Sequence, residues 1–259
     1  MMVLPDIRRA AGRLAAVGGI AGAGLAVAHV GPGITGIGPV RRTMFPRLAG
    51  QGDPRHVALT FDDGPDPAAT PGFAQLLSER GITATFFLLG EMVAREPLLT
   101  ADLVAGGHEI GVHGWEHRYL TSRGPRATLD DLRRATELIE NAAGIRPRLF
   151  RPPYGVLTGG ALLAARHLGL APVLWGTCGR EWVPGATPAS VYAEVASRLR
   201  GGVTVLLHDS DCTSPSGSWR AAYGALPLLL DECASRGLEV GPLGQHGWPL
   251  APGPPRTAD

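Results

Sequence analysis

The chain has 259 residues, 44% hydrophobic and 18% charged, enough apolar material for a full core and too apolar for a disordered chain. Its formal net charge is +1 and its 24 basic residues, all arginine, are spread out, which argues against a nucleic-acid partner. The 37 Gly and 23 Pro imply many loops.

In chain order, Arg8, Arg9 and Arg13 precede an uncharged run over 14–30 that ends near Ala26-Val27-Ala28. This sequence of charged, apolar and small residues makes 1–30 a signal-like or membrane-associating segment, so a secreted or membrane-associated protein is expected. The alternative is a cytoplasmic protein that keeps a Gly/Ala-rich amphipathic segment. Residues 31–54, rich in Gly, Pro and Arg, read as a linker. A strand over 57–61 breaks at Asp62-Asp63-Gly64-Pro65, a turn sequence. A helix over 71–80 stops at Gly81, a strand spans 83–89, a helix 97–105, and a strand 109–112 leads into His113. The stripe Leu132, Ala135, Leu138, Ile139 and Ala142 marks a helix over 129–143. Phe150 enters Arg151-Pro152-Pro153-Tyr154-Gly155, followed by a helix over 160–167. Strands over 173–175 and 203–207 flank a helix at 188–199, and a last helix over 220–235 precedes 238–240. Alternating strands and helices predict an α/β fold with a parallel sheet, closed or nearly closed into a barrel. A Pro-rich tail covers 244–259. Cys178, Cys212 and Cys233 are too few for a disulfide framework; one bridge, Cys212 to Cys233, or three free thiols are the options.

The chemistry-bearing residues sit beside this punctuation. Asp62 and Asp63 deliver two carboxylates to one strand end, so that one can bind metal while the other handles protons. His113 and His117, four apart, suit a divalent metal on one side of a helical turn. With one Asp they supply three ligands and leave room for water. Two prolines fix the backbone after Arg151, so its guanidinium can hold a carboxylate and the Tyr154 amide can face an oxyanion. His208 follows an apolar strand directly and can serve as the acid for a leaving group. His108, His167 and His246 have no such company and read as surface or structural residues.

Together, Thr60-Phe61-Asp62-Asp63-Gly64-Pro65, His113-x-x-x-His117, Arg151-Pro152-Pro153-Tyr154-Gly155, Trp175 to Trp182, and Leu206-Leu207-His208-Asp209 resemble the motif series of the polysaccharide deacetylase family, carbohydrate esterase family 4 with its NodB homology domain. The resemblance covers about 55–243 and implies a distorted (β/α) barrel of about seven parallel strands. It implies one divalent metal, zinc or else cobalt, bound by Asp63, His113 and His117. It also implies Asp62 as base, His208 as acid, Arg151 orienting Asp62, and substrate or oxyanion contacts from Tyr154, Trp182 and Leu206. The implied activity is removal of N-acetyl groups from an N-acetylglucosamine-containing glycan. Two departures stand out: Cys178 and Glu181 lie where the family carries Asp residues, leaving Glu181 to support the acid, and Gly114 lies where a Ser or Thr braces the metal loop. The alternatives are a related barrel amidohydrolase acting on another amide or formyl group, and a non-catalytic glycan-binding protein. The sequence singles out no polymer and no oligomeric state.

Overall fold

A computed structural model describes residue 24 and residues 26–247. Seven parallel strands, β1 (His56–Asp62), β2 (Thr85–Leu88), β3 (Glu109–Val112), β4 (Leu149–Phe150), β5 (Ala171–Pro172), β6 (Thr177–Cys178) and β7 (Thr204–His208), run in the order β5-β4-β3-β2-β1-β7-β6. A short β8 (Glu239–Gly241) lies along the start of β1. The edge strands β5 and β6 are consecutive in the chain, so the sheet curls into a half-barrel that is open between them. This is the distorted (β/α) barrel expected from the resemblance.

Every residue of β1 is buried, as a central parallel strand requires. Strand alternation sends Val57, Leu59 and Phe61 into the large core beneath the helices, and Ala58 into a smaller cluster with Phe87, Leu149, Val173 and Leu243 inside the barrel. Phe61 stacks on Phe86 at 4.9 Å and meets Phe73, from α2 (Thr70–Glu79), at 5.0 Å. Burial of each such ring contributes about 2 kcal/mol. Around the sheet lie α1 (Gly38–Met44), α3 (Gly90–Arg95), α4 (Pro97–Ala105), α5 (Pro125–Ala143), α6 (Gly159–Leu168), α7 (Pro188–Ala196) and α8 (Trp219–Ser235). Proline in the first turn starts α5, Leu132, Ala135 and Ile139 form its buried stripe, and Gly144 ends it with φ 68°.

Three expectations change, for the linker, one strand and the tail, and the cysteines take one of their two options. The segment 31–54 is not a linker throughout: Gly31–Gly36 is a 3₁₀ turn, α1 follows, and Arg41 is buried with its guanidinium 4.8 Å from the Trp175 ring centroid. Its Gly and Pro residues start short helices rather than leave the chain loose. The strand expected over 173–175 pairs instead at Ala171–Pro172, because the Leu174 N–H donates to the Leu48 carbonyl at 2.7 Å and not to a neighbouring strand. No 212–233 bridge forms: all three cysteines are free, α8 turns Cys233 into the core, and Cys212 is exposed with Sγ 3.7 Å from the Asp63 carbonyl. Of the Pro-rich tail, 244–247 belongs to the fold, with His246 wholly buried. The rest of the tail and most of the signal-like segment lie outside the described residues, among which no helix is long and apolar enough to cross a membrane.

Candidate active site

The parallel registers bring four strand ends to one mouth. Asp62 stands opposite His208 on β7 and Phe87 on β2, while Val112, the last residue of β3, stands opposite Phe150 on β4. Asp63, His113 and Arg151, each one step further, therefore converge.

Asp63 has a left-handed backbone, φ 76°, a conformation Asp tolerates better than most residues. Its Oδ1 lies 3.3 Å from His113 Nε2 and 3.5 Å from His117 Nε2, is buried, and makes no hydrogen bond. One ligand atom from each of the three residues falls within a 4.8 Å set. The His113 Nδ1–H donates to the Arg151 carbonyl at 2.7 Å, which leaves Nε2 as the free lone pair. Burial, with His113 adjacent, pushes the His117 pKa down to about 4, so its imidazole is neutral and able to ligate. Burial opposes the charge on Asp63, but the facing His113 imidazole, with the His208 and His117 rings near it, holds its carboxyl well below the usual carboxylate range. Donor atoms ~2.0–2.1 Å from a tetrahedral cation stand roughly 3.4 Å apart, so an orphaned carboxylate oxygen at 3.3 and 3.5 Å from two imidazole nitrogens fits a divalent metal.

The two histidines do not ride a helical turn, as their spacing suggested. Residues 113–119 form a loop in which Gly114 takes φ 101°, a conformation that favours glycine. The N–H groups of Gly90 and Glu91, opening α3, donate to the Gly114 and Trp115 carbonyls at 2.9 and 3.0 Å. Asp131 of α5 accepts from the Trp115 N–H at 3.0 Å and pairs with Arg123. These contacts brace the loop in place of the hydroxyl that Gly114 lacks.

Asp62 faces other partners. Its Oδ1 accepts from Arg151 Nη1 at 2.7 Å, and the fully buried guanidinium also donates to Thr60 Oγ1 at 2.8 Å and the Leu174 carbonyl at 3.0 Å. Across the mouth, Glu181 Oε1 accepts from both the backbone N–H of His208, at 2.6 Å, and its Nδ1, at 2.9 Å. Burial works against a charged His208, but the Glu181 charge and hydrogen bond, with Asp63 and Asp62 behind, outweigh it and lift the pKa to about 9. Asp209 is not the partner: its Oδ2 accepts from Thr70 at 2.5 Å, facing away from the imidazole's Glu181 contact.

These groups open on a pocket of about 400 Å³ lined by Asp62, His113, His117 and His208. Its walls are aromatic and apolar: Tyr119, Tyr154, Trp175, Trp182 and buried Leu206. Tyr154, at φ 59°, stacks on Tyr119 with centroids 3.8 Å apart, and Trp182 meets His208 edge-on at 5.3 Å. The structure thus gathers Asp62, Asp63, His113, His117, Arg151, Glu181, His208, Tyr154, Trp182 and Leu206 about one mouth. Sequence reasoning missed Tyr119, which no motif marks, and Thr213, whose hydroxyl donates to Asp63 Oδ2 at 2.8 Å from a loop without periodicity.

With this geometry in hand, comparison with known proteins is specific. The family model described as polysaccharide deacetylase matches residues 49–173. The chain is 36% identical over 203 residues to a chitooligosaccharide deacetylase of a Bradyrhizobium species, covering 74% of this chain and 90% of that one. It is 36% identical over 185 residues to a peptidoglycan-N-acetylglucosamine deacetylase of Bacillus cereus, covering 70% and 83%. Among solved structures, the family 4 carbohydrate esterase of Streptomyces lividans in complex with acetate superposes with a TM-score of 0.63 at 30% identity, covering 73% and 93%.

Proposed function

Because the chain belongs to the polysaccharide deacetylase family, we propose that it is a metal-dependent hydrolase removing acetyl groups from N-acetylglucosamine units of a chitooligosaccharide or peptidoglycan type of glycan. The observation that carries this reading is the orphaned Asp63 Oδ1 facing two imidazole Nε2 atoms, with the Asp62–Arg151 and His208–Glu181 pairs on either side.

Asp63, His113 and His117 would hold a divalent cation, which when bound would supply Lewis-acid polarisation of the acetyl carbonyl and acidify a water molecule. Zinc suits a set of two nitrogens and one oxygen, and cobalt would serve as well. Asp62, oriented by its hydrogen bond from Arg151, removes a proton from the attacking water. The Tyr154 backbone N–H donates to the carbonyl oxygen as it gains charge. His208, whose Nδ1–H is tied to Glu181, carries the working proton on Nε2 and passes it to the amide nitrogen as the C–N bond breaks. The products are acetate and a free amine. The aromatic walls suit the apolar faces of sugar rings, and the pocket's size suits one acetamido group with part of its ring.

Acetate release from N-acetylglucosamine oligomers and from peptidoglycan, with and without added zinc or cobalt, tests the reading. Metal-dependent release from either supports it. Glycan binding with no acetate release under any metal would make the protein a binding module instead.

Peptidoglycan, named for one of the relatives, is a cell-wall polymer, which agrees with 1–30 acting as an export or membrane-associating segment. An N-terminus near His29 in protein from the native host supports cleavage; an intact Met1 in a wholly cytosolic fraction overturns it.

A further inference from the structure

We infer that Thr213 is a positioning residue for the metal, fixing Asp63 as a single-oxygen ligand. The inference rests on the proposed assignment of Asp63, His113 and His117 as the metal site. The two oxygens of Asp63 have different surroundings. Oδ1 faces the His113 and His117 Nε2 atoms, while Oδ2 accepts a 2.8 Å hydrogen bond from the Thr213 hydroxyl, 150 residues away in sequence. A carboxylate only accepts, so the hydroxyl must donate here. That donation occupies the oxygen turned away from the imidazoles, sets the plane of the carboxylate, and keeps Oδ2 from competing for the cation.

The loop that carries Thr213 is built to hold this position. It begins directly after β7, one residue beyond His208, and returns over the turn that follows β1. The Cys212 N–H donates to Ser210 Oγ at 3.1 Å, and that hydroxyl lies 3.3 Å from Asp66 Oδ2 in the same turn as Asp63. Further along, the Gly217 N–H donates to Asp211 Oδ2 at 2.5 Å and the Ser214 N–H to the Asp211 carbonyl at 3.1 Å, closing the loop on itself. Thr213 also lines the pocket, so its hydroxyl is held where the ligand set meets solvent rather than deep in the core. Hydrogen-bond partners of metal ligands orient them and tune their affinity, and their loss typically weakens binding about 10- to 100-fold. One loop thereby connects the ligand Asp63 to the acid His208.

The test is zinc affinity, measured by competition with a chromophoric chelator, for the full chain and for Thr213→Val, Thr213→Ser and His113→Ala, with folding of each checked by circular dichroism. Thr213→Val keeps the volume and removes the donor, so its zinc Kd should rise about tenfold or more, and Thr213→Ser should restore a near-parental Kd. Should Thr213→Val misfold, Thr213→Ala takes its place with the same expectation. A Thr213→Val Kd within twofold of the parent, while His113→Ala loses zinc, overturns the role of Thr213 alone. Parental zinc affinity in His113→Ala overturns the metal site beneath it. Weakening in Thr213→Ser equal to that in Thr213→Val also overturns the inference, since the hydroxyl would then not be what matters.

Discussion

The barrel carries a close pair of histidines at each end. At the mouth, His113 and His117 have ring centroids 5.1 Å apart and planes inclined by 46°; at the opposite end, His56, which opens β1, and His246 have centroids 5.0 Å apart and planes inclined by 53°. Their connections differ. The lower pair faces inward: the two Nδ1 atoms share one hydrogen bond at 2.8 Å, His246 Nε2 lies 3.0 and 3.2 Å from the Gly50 and Gly202 carbonyls, and His56 Nε2 is buried without a partner among the described residues and with no carboxylate facing it. The upper pair turns both Nε2 atoms toward a carboxylate oxygen that has no hydrogen bond, beside an open pocket. Spacing and burial of two imidazoles therefore do not define a metal site. The mouth differs in having an unspent carboxylate acceptor between the rings and access from outside.

Changes at the mouth should have the largest effects. Asp62→Asn and His208→Ala should each keep metal and lose turnover by about 10²- to 10⁴-fold, the range for a general base or acid, read by acetate release alongside metal content. Loss of metal from Asp62→Asn in a folded protein would mean that Asp62 and Asp63 exchange roles.

At the other end the effect should appear in stability alone. His56→Ala leaves His246 Nδ1 buried without its partner, which should cost about 1–3 kcal/mol in denaturant unfolding with kcat/KM unchanged. A fall in kcat/KM matching that of the mouth variants would show that the two ends are not separate.

pH sharpens the contrast, because the ends respond with opposite sign. Burial lowers the pKa of His56; for His246 burial and the His56 charge both lower it. A lowered folded pKa means that the unfolded chain binds protons more readily. This pair's stabilisation is therefore present above the unfolded value near 6.5 and is lost as pH falls from there through the folded values. His208 is raised to about 9, so its contribution is complete below 6.5 and is lost as pH rises through about 9. In catalysis the same residue sets an alkaline limb, since the acid must be protonated. The smallest change expected is in Glu181→Gln: that limb should move to lower pH by about one unit in the pH–rate profile, because the largest influence raising His208 is gone. An unmoved limb would show that another group supports the acid.

Much of the mouth was legible because catalysis places side chains at strand ends, where turn residues leave a local signature: Asp62-Asp63-Gly64-Pro65 after β1 and Arg151-Pro152-Pro153 after β4. Glu181 could be named as the partner of His208 although the two are 27 residues apart, because a motif flanks each. Thr213 could not, since its link to Asp63 spans 150 residues from a Ser/Thr/Pro loop with no period. The lower pair was equally hidden: His56 and His246, 190 residues apart, meet only because 242–246 folds back beneath β1. The loop carrying His113 and His117 was misread as a helical turn because a four-residue spacing is shared by both, and Gly114 at φ 101° decides between them. α1 was missed for lack of length, as seven residues give too little periodicity to separate a helix from Gly/Pro punctuation.

That segment has a mechanical consequence. A loose chain over 31–54 would act as a leash, letting the domain wander ~27 Å from whatever precedes it. Instead, Arg41 lies over Trp175 and the Leu48 carbonyl is bonded to Leu174, so the chain joins the barrel's open seam almost as soon as its described helical stretch begins. Trp175 is also a wall of the pocket. Any attachment ahead of Gly31 would thus set the heading of the pocket rather than merely its range.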